Sequence, residues 1–78
     1  MPEQNIDWAV FRARLRDMRE RYYLTRVQLS ELSGLSSNAV SLYEKGKKIP
    51  TIDSIAALAD ALNCSVDYLL GIDRVKII

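Results

Sequence analysis

Apolar residues recur at steps of three and four along most of the chain, which is the period of an α-helix. The clearest case is the first segment, which Asn5 or Asp7 can cap. Its five large apolar residues form one stripe: Trp8, Phe11, Leu15, Met18 and Tyr22. Strand-like alternation is not sustained before the final residues. The pattern therefore predicts an all-α chain.

Two short helices follow the first. Thr25 and Gln28 have the spacing of a capping box, which places a helix start at Thr25. Leu29 and Leu32 give this second helix its inner face, and Gly34 supplies a left-handed position that ends it.

The third helix is predicted to begin after Ser36 as its N-cap and to cover about residues 37–44. Its inner face carries Val40, Tyr43 and part of Glu44. Gly46 ends it, and residues 47–50 form a basic loop. At about 100° per residue, its outer face carries Asn38, Ser41, Leu42 and Lys45.

Two more helices complete the predicted five-helix domain, which covers residues 1–71. Thr51 caps the fourth, with an inner face of Ile52, Ile55, Leu58, Ala59 and Leu62. Ser65 caps the fifth, which carries Val66, Leu69 and Leu70 and ends at Gly71. Residues 72–78 form a short apolar tail that can pair as a strand, pack on the helices as a dimer contact, or lead into a further segment.

Composition excludes several classes of protein. A chain of 78 residues is one domain, and it contains no His and one cysteine, Cys64. A catalytic triad, a zinc site and a disulfide framework each need more of these residues. No long uninterrupted apolar run is present to suggest a membrane span or signal peptide. We therefore expect a cytoplasmic binding protein that is not an enzyme and uses no metal or cofactor.

The region from residue 25 to residue 44 has the layout of a helix-turn-helix, whose second helix enters the major groove of DNA. Asn38 can make two hydrogen bonds to adenine, Ser37 and Ser41 can bond to several bases, and Leu42 can contact a thymine methyl group. The alternative is that Leu42 belongs to the core and Asn38 is an ordinary surface residue.

The sequence resembles the helix-turn-helix domain of the phage Cro and cI repressors, the XRE family. The resemblance extends from about Arg12 to Gly71 and includes Glu44-x-Gly46-x-x-x-Pro50 and the segments 58–62 and 66–71. It implies a compact lambda-repressor-like fold and sequence-specific binding of double-stranded DNA.

The resemblance also implies roles for individual residues. The base-reading positions of the family correspond to Ser37, Asn38, Ser41 and Leu42, although its long Gln side chains are absent at Ser37 and Leu42. Arg26 stands where the family usually has a Gln that touches a phosphate. Further phosphate contacts are expected from Thr25, Ser36, Lys45, Lys47 and Lys48. An ion pair is expected between Arg19 and Glu44, and helical geometry independently allows it.

The charges are unevenly distributed. The chain has 11 Lys and Arg and 10 Asp and Glu, for a net charge of +1. Residues 1–26 carry six positive and four negative charges, residues 27–50 three and two, and residues 51–78 two and four. Residues 1–50, which contain the predicted reading helix, therefore form a basic reading edge. Residues 51–78, which contain the fourth and fifth helices, form an acidic rear.

A twofold dimer would present two reading helices about 34 Å apart to a palindromic operator. We expect such a dimer and predict repression of transcription. The competing hypotheses are a protein-interaction module, and an antitoxin or controller of the same fold that acts through a protein partner.

Overall fold

The computed structural model describes residues 6–72. In this part of the chain there are five α-helices and no strand: α1 (Trp8–Arg21), α2 (Arg26–Leu32), α3 (Ala39–Glu44), α4 (Ile52–Ala61) and α5 (Val66–Leu70). The prediction of an all-α, five-helix domain is confirmed.

Polar side chains start four of the helices. The side chains of Asp7, Thr25, Thr51 and Ser65 each accept a hydrogen bond from a backbone N–H in the first turn. Such caps satisfy donors that have no partner inside the helix. The helix starts that depend on these caps were therefore readable from local sequence.

The core lies where the five helices meet. α1 packs on α3 and α5, α2 packs on α3 and α4, and α4 packs on α5. Gly71, at φ 73°, ends α5 so close to α1 that a Cβ there would lie 2.8 Å from Cγ1 of Val10. The buried apolar residues are Phe11, Leu15, Leu29, Ala39, Val40, Tyr43, Ile55, Leu58, Ala59, Leu62, Leu69 and Leu70.

Three residues assigned to inner faces lie largely outside this core. Tyr22 is 48% exposed, Leu32 64% and Ile52 66%. Tyr22 is the C-cap of α1, where the chain leaves the helix, and Tyr23 follows with φ 57°. Leu32 is the last residue of α2 and Ile52 the first of α4. The apolar stripes of α1, α2 and α4 thus continue to helix ends that no neighbouring helix covers fully.

Most of the predicted apolar tail, residues 73–78, and the possible cap Asn5 lie outside the described residues. Ile72 is described, and it packs half-buried against the core. Its N–H donates to the carbonyl oxygen of Asp67 at 3.0 Å, which helps to close α5.

Candidate nucleic-acid interface

The start of α2 is a complete capping box. The Thr25 hydroxyl oxygen accepts the N–H of Gln28 at 3.0 Å, and Oε1 of Gln28 accepts the N–H of Thr25 at 2.8 Å. Both residues are exposed. The box holds Thr25 and Arg26 together at the first turn of α2.

The turn after α2 is closed by two backbone hydrogen bonds. The N–H of Gly34 donates to Glu31, and that of Leu35 donates to Ser30, at 3.0 and 2.9 Å. This is the pattern of a Schellman motif, and it requires the positive φ of 71° that Gly34 adopts. It sets the direction in which the chain approaches α3.

The third helix begins two residues later than predicted. Its N-cap position is Asn38, whose side chain caps no N–H, and residues 37–38 form a turn. The Ser36 hydroxyl instead bonds to Oδ1 of Asn38 at 3.1 Å. The Ser36 hydroxyl accepts no backbone N–H of the described residues, so Ser36 is not the side-chain cap. Ser37 and Asn38 stand exposed just ahead of α3 rather than within it.

A buried hydroxyl joins α2 to α3. Ser30 is fully buried, donates to the carbonyl oxygen of Arg26 at 2.8 Å and accepts the N–H of Val40 at 3.0 Å. Bonding to the carbonyl one turn earlier is common for helical serines. This tendency of a helical serine, at a position beside the inner-face residue Leu29, is the only signal in the sequence for the contact. The contact was not predicted from the sequence.

A carboxylate at the end of α3 binds two arginines. Only 3% of the Glu44 side chain is exposed. Arg19 donates Nε to its Oε2 at 2.7 Å and Nη2 to its Oε1 at 3.2 Å, while Arg26 donates Nε to Oε1 at 3.0 Å. Arg19 also donates Nη1 to the carbonyl oxygen of Leu24 at 2.8 Å. The carboxylate therefore joins α1, the start of α2 and the end of α3.

The two arginines differ in their surroundings. The Arg19 side chain is 11% exposed and that of Arg26 is 41% exposed. The hydrogen bond to Glu44 raises the pKa of Arg19, against the opposing effect of burial. Arg19 is thus a fixed structural cation, whereas Arg26 keeps access to solvent. The bond between Arg26 and Glu44 was not anticipated from the sequence.

Four of the expected DNA-contacting residues line two separate concavities. Thr25, Arg26 and Ser41 line one open concavity of about 470 Å³, together with Arg19 and Val27. Lys48 lines a different pocket of about 190 Å³ beside α1. Ser41 and Leu42 are half-buried. The exposed members of the set are Thr25, Ser36, Ser37, Asn38, Lys45, Lys47 and Lys48.

Positive and negative charges lie in different parts of the described chain. Three lysines stand exposed within residues 45–48, whereas residues 51–72 contain three aspartates and no lysine or arginine. Among residues 6–72 no group of three or more His, Cys, Asp or Glu could hold a metal ion. None of the helices in that range has the length and apolar character of a membrane span.

Comparison with known proteins identifies the class. A family model described as helix-turn-helix matches residues 15–69, which is more than half of the chain. The chain therefore belongs to this helix-turn-helix family, and the resemblance to the XRE group of Cro- and cI-type repressors is confirmed.

Individual relatives are regulators. The chain is 39% identical over 76% of its length to an uncharacterized HTH-type transcriptional regulator, YobD, of Bacillus subtilis. It is 34% identical over 74% of its length to RstR, the cryptic phage CTXphi transcriptional repressor of Vibrio cholerae. It spans about half the length of these relatives, 53% and 52% respectively.

Two solved structures are similar throughout the domain. The P22 c2 repressor in complex with a synthetic operator has a TM-score of 0.74 at 33% identity. The restriction-modification controller protein C.AhdI of Aeromonas hydrophila has a TM-score of 0.75 at 33% identity. Each match covers 81% of this chain and 96% of the other.

Proposed function

We propose that this chain is the DNA-binding domain of a transcriptional repressor that reads double-stranded DNA with α3 in the major groove. A twofold dimer would bind a palindromic operator, with one reading helix in each half-site. The family and the similar P22 c2 repressor, solved on its operator, support DNA as the partner. A repressor among the relatives supports the direction of regulation.

The observation that carries this proposal is the rigid attachment of α3. Its inner face is fixed by the Ser30 bond to Val40 and by the two arginines on Glu44. Among residues 6–72, neither Asn38 nor Ser41 has a side-chain hydrogen bond to another helix, and Oδ1 of Asn38 accepts only the nearby Ser36 hydroxyl. A reading helix needs this combination, because base contacts require fixed geometry on one side and free polar groups on the other.

The base-reading residues of the proposal are Ser37, Asn38, Ser41 and Leu42. Asn38 and Ser37 precede α3 and are exposed, so they would reach the base edges first. Leu42 is half-buried, which leaves part of its side chain free for a thymine methyl group.

Phosphate contacts would lie on both sides of α3. On one side, Glu44 binds Nε of Arg26, and the terminal nitrogens of Arg26 have no hydrogen-bond partner within residues 6–72. Such a held guanidinium can bind phosphate with little further loss of side-chain entropy. Thr25 would contribute beside Arg26, and Ser36 would contribute ahead of the start of α3. Lys45, Lys47 and Lys48 would hold the backbone on the other side.

The decisive experiment is selection from random duplex DNA with the purified protein at about 0.1 M salt. The expected result is an enriched palindrome with half-sites about one helical turn apart. A single enriched half-site would overturn the dimer but retain sequence reading. The absence of enrichment would overturn DNA reading and favour a protein-interaction module.

Two variants separate base reading from backbone contact. Asn38→Ala should reduce discrimination at one base position by about 1–3 kcal/mol. Lys47→Ala should weaken binding to every sequence equally and lower the salt slope by about 1, because phosphate contacts carry no sequence information. If Asn38→Ala left the selected sequence unchanged, Asn38 would not be a base contact.

A further inference from the structure

Four of the five arginines on α1 have partners among the described residues. Arg19 binds Glu44, Arg16 binds Glu20 at 3.0 Å and Arg21 binds Asp17 at 3.1 Å. Arg14 donates to the carbonyl oxygen of Tyr68 at 2.7 Å and lies over its ring. The remaining arginine is Arg12, which makes no hydrogen bond or ion pair within residues 6–72.

Arg12 lies against the turn that leads from α3 into the lysine-bearing loop. A Cβ placed on Gly46 would be 3.4 Å from Nη1 and 3.5 Å from Cζ of Arg12. The guanidinium thus packs on the backbone next to Lys45 and Lys47. At 100° per residue along α1, Arg12 is on the opposite side from Arg21.

Among the described residues, those that line the pocket beside Arg12 include no carboxylate. Arg12 shares its pocket with Lys48, and the other lining residues are Trp8, Phe11, Tyr43, Gly46, Ile49 and Pro50. The side chain is half-buried against these residues. Two cations beside a mainly apolar wall attract an anion, and the partial burial of Arg12 weakens the solvent screening of its charge.

We propose that Arg12 is a further DNA phosphate contact, which extends the lysine loop onto the first helix. This inference rests on the proposed DNA binding. Arg12, Lys47 and Lys48 would then hold one stretch of backbone beyond the C-terminal end of α3, the same end at which Arg26 binds Glu44. The backbone phosphate supplies the anion that the described protein residues do not provide.

The test measures the salt dependence of binding to the selected duplex by fluorescence anisotropy, from 50 to 200 mM NaCl. Arg12→Gln should lower the slope of log affinity against log salt by about 0.9, the value for one lost phosphate contact. The loss of affinity across this range should thus be about 3.5-fold smaller than for the wild type. Arg12→Lys should retain the wild-type slope, since a point charge still binds phosphate.

The matched control is Arg21→Gln, which removes an equal charge from the far side of the same helix and should leave the slope unchanged. Thermal unfolding of Arg12→Gln should stay close to the wild type, because Arg12 has no hydrogen-bond or ion-pair partner among residues 6–72 and Gln keeps part of the aliphatic stem. Equal slopes for Arg12→Gln and Arg21→Gln would overturn the role of Arg12 while DNA binding stands. A wild type with no salt-dependent binding would overturn both proposals.

Discussion

The α2–α3 pair and the α4–α5 pair are held together by different forces. α2 and α3 are joined by the Ser30 hydroxyl and by Glu44, which also connects them to α1. α4 and α5 meet through aliphatic side chains such as Leu58, Leu62 and Leu69, all fully buried. Hydrophobic burial is non-directional, whereas hydrogen bonds fix angles. The directional contacts are found at α3, a helix of six residues whose outer-face residues Ser41 and Leu42 are half-buried.

The two helix pairs also differ in the charges that lie on or beside them. The loop after α3 carries exposed lysines, and the described part of the chain from residue 51 onward carries aspartates without compensating cations. With a net charge of only +1, the chain would attract DNA through the placement of its cations rather than their number. An acidic rear would also disfavour approach in the wrong orientation.

The largest expected effect comes from breaking the directional contacts of the α2–α3 pair at Arg19. Arg19→Met removes two hydrogen bonds to a carboxylate that is 3% exposed. Loss of one partner of a buried pair costs about 3–5 kcal/mol. We expect about 3 kcal/mol in the free energy of unfolding, because Arg26 still binds Glu44. Urea unfolding followed by circular dichroism measures this value.

Arg16→Met is the control for this prediction. Arg16 pairs with Glu20 on the surface, with 62% and 55% of the two side chains exposed. Such i, i+4 pairs contribute about 0.3–0.5 kcal/mol. Equal midpoints for the two variants would show that the Glu44 network does not stabilise the fold.

A smaller effect is expected from the hydroxyl that joins α2 to α3. Ser30→Ala leaves the buried N–H of Val40 without its partner, and an unsatisfied buried donor costs about 1–3 kcal/mol. Unfolding of this variant should therefore shift to lower urea concentration. Ser33→Ala is the matched control, because Oγ of Ser33 is buried with no hydrogen-bond partner among the described residues. That substitution should be neutral or stabilising, and a cost equal to that of Ser30→Ala would contradict the assignment.

The sequence predicted features whose cause is local. The capping box at Thr25, the glycine-ended turns and the apolar stripe around Phe11 and Leu15 each depend on residues within one or two helical turns. The exposure of Leu32 and Ile52 depends instead on where a neighbouring helix ends. The late start of α3 was also missed: the Ser36 hydroxyl donates to Asn38 and caps no N–H, and residue spacing alone does not show this.

In the candidate site too, contacts between residues that are distant in sequence were harder to predict than local features. Family resemblance suggested that Arg19 and Glu44 would meet, and the structure brings them together. The attachment of Arg26 to the same carboxylate, and the position of Arg12 against Gly46, join residues that are far apart in sequence. These contacts depend on how α1 and α2 each pack against α3 and the turn that follows it, and that arrangement becomes visible only once the helices are packed.

The smallest effect concerns Cys64, in the rear region between α4 and α5. Desolvation raises the pKa of its thiol above the usual value, because partial burial disfavours the thiolate. The folded state thus prefers the neutral thiol. This contribution to stability is fully present below the unfolded pKa and is lost as the pH rises through the folded pKa.

Alkylation by iodoacetamide at pH 8 should be several-fold slower in the native protein than in urea, since the thiolate is the reacting form. The pH midpoint of the native rate should lie above that of the unfolded chain. A native midpoint at or below the unfolded value would mean that Cys64 is as well solvated as an exposed residue, and that the rear of the domain packs less tightly than its aliphatic core implies.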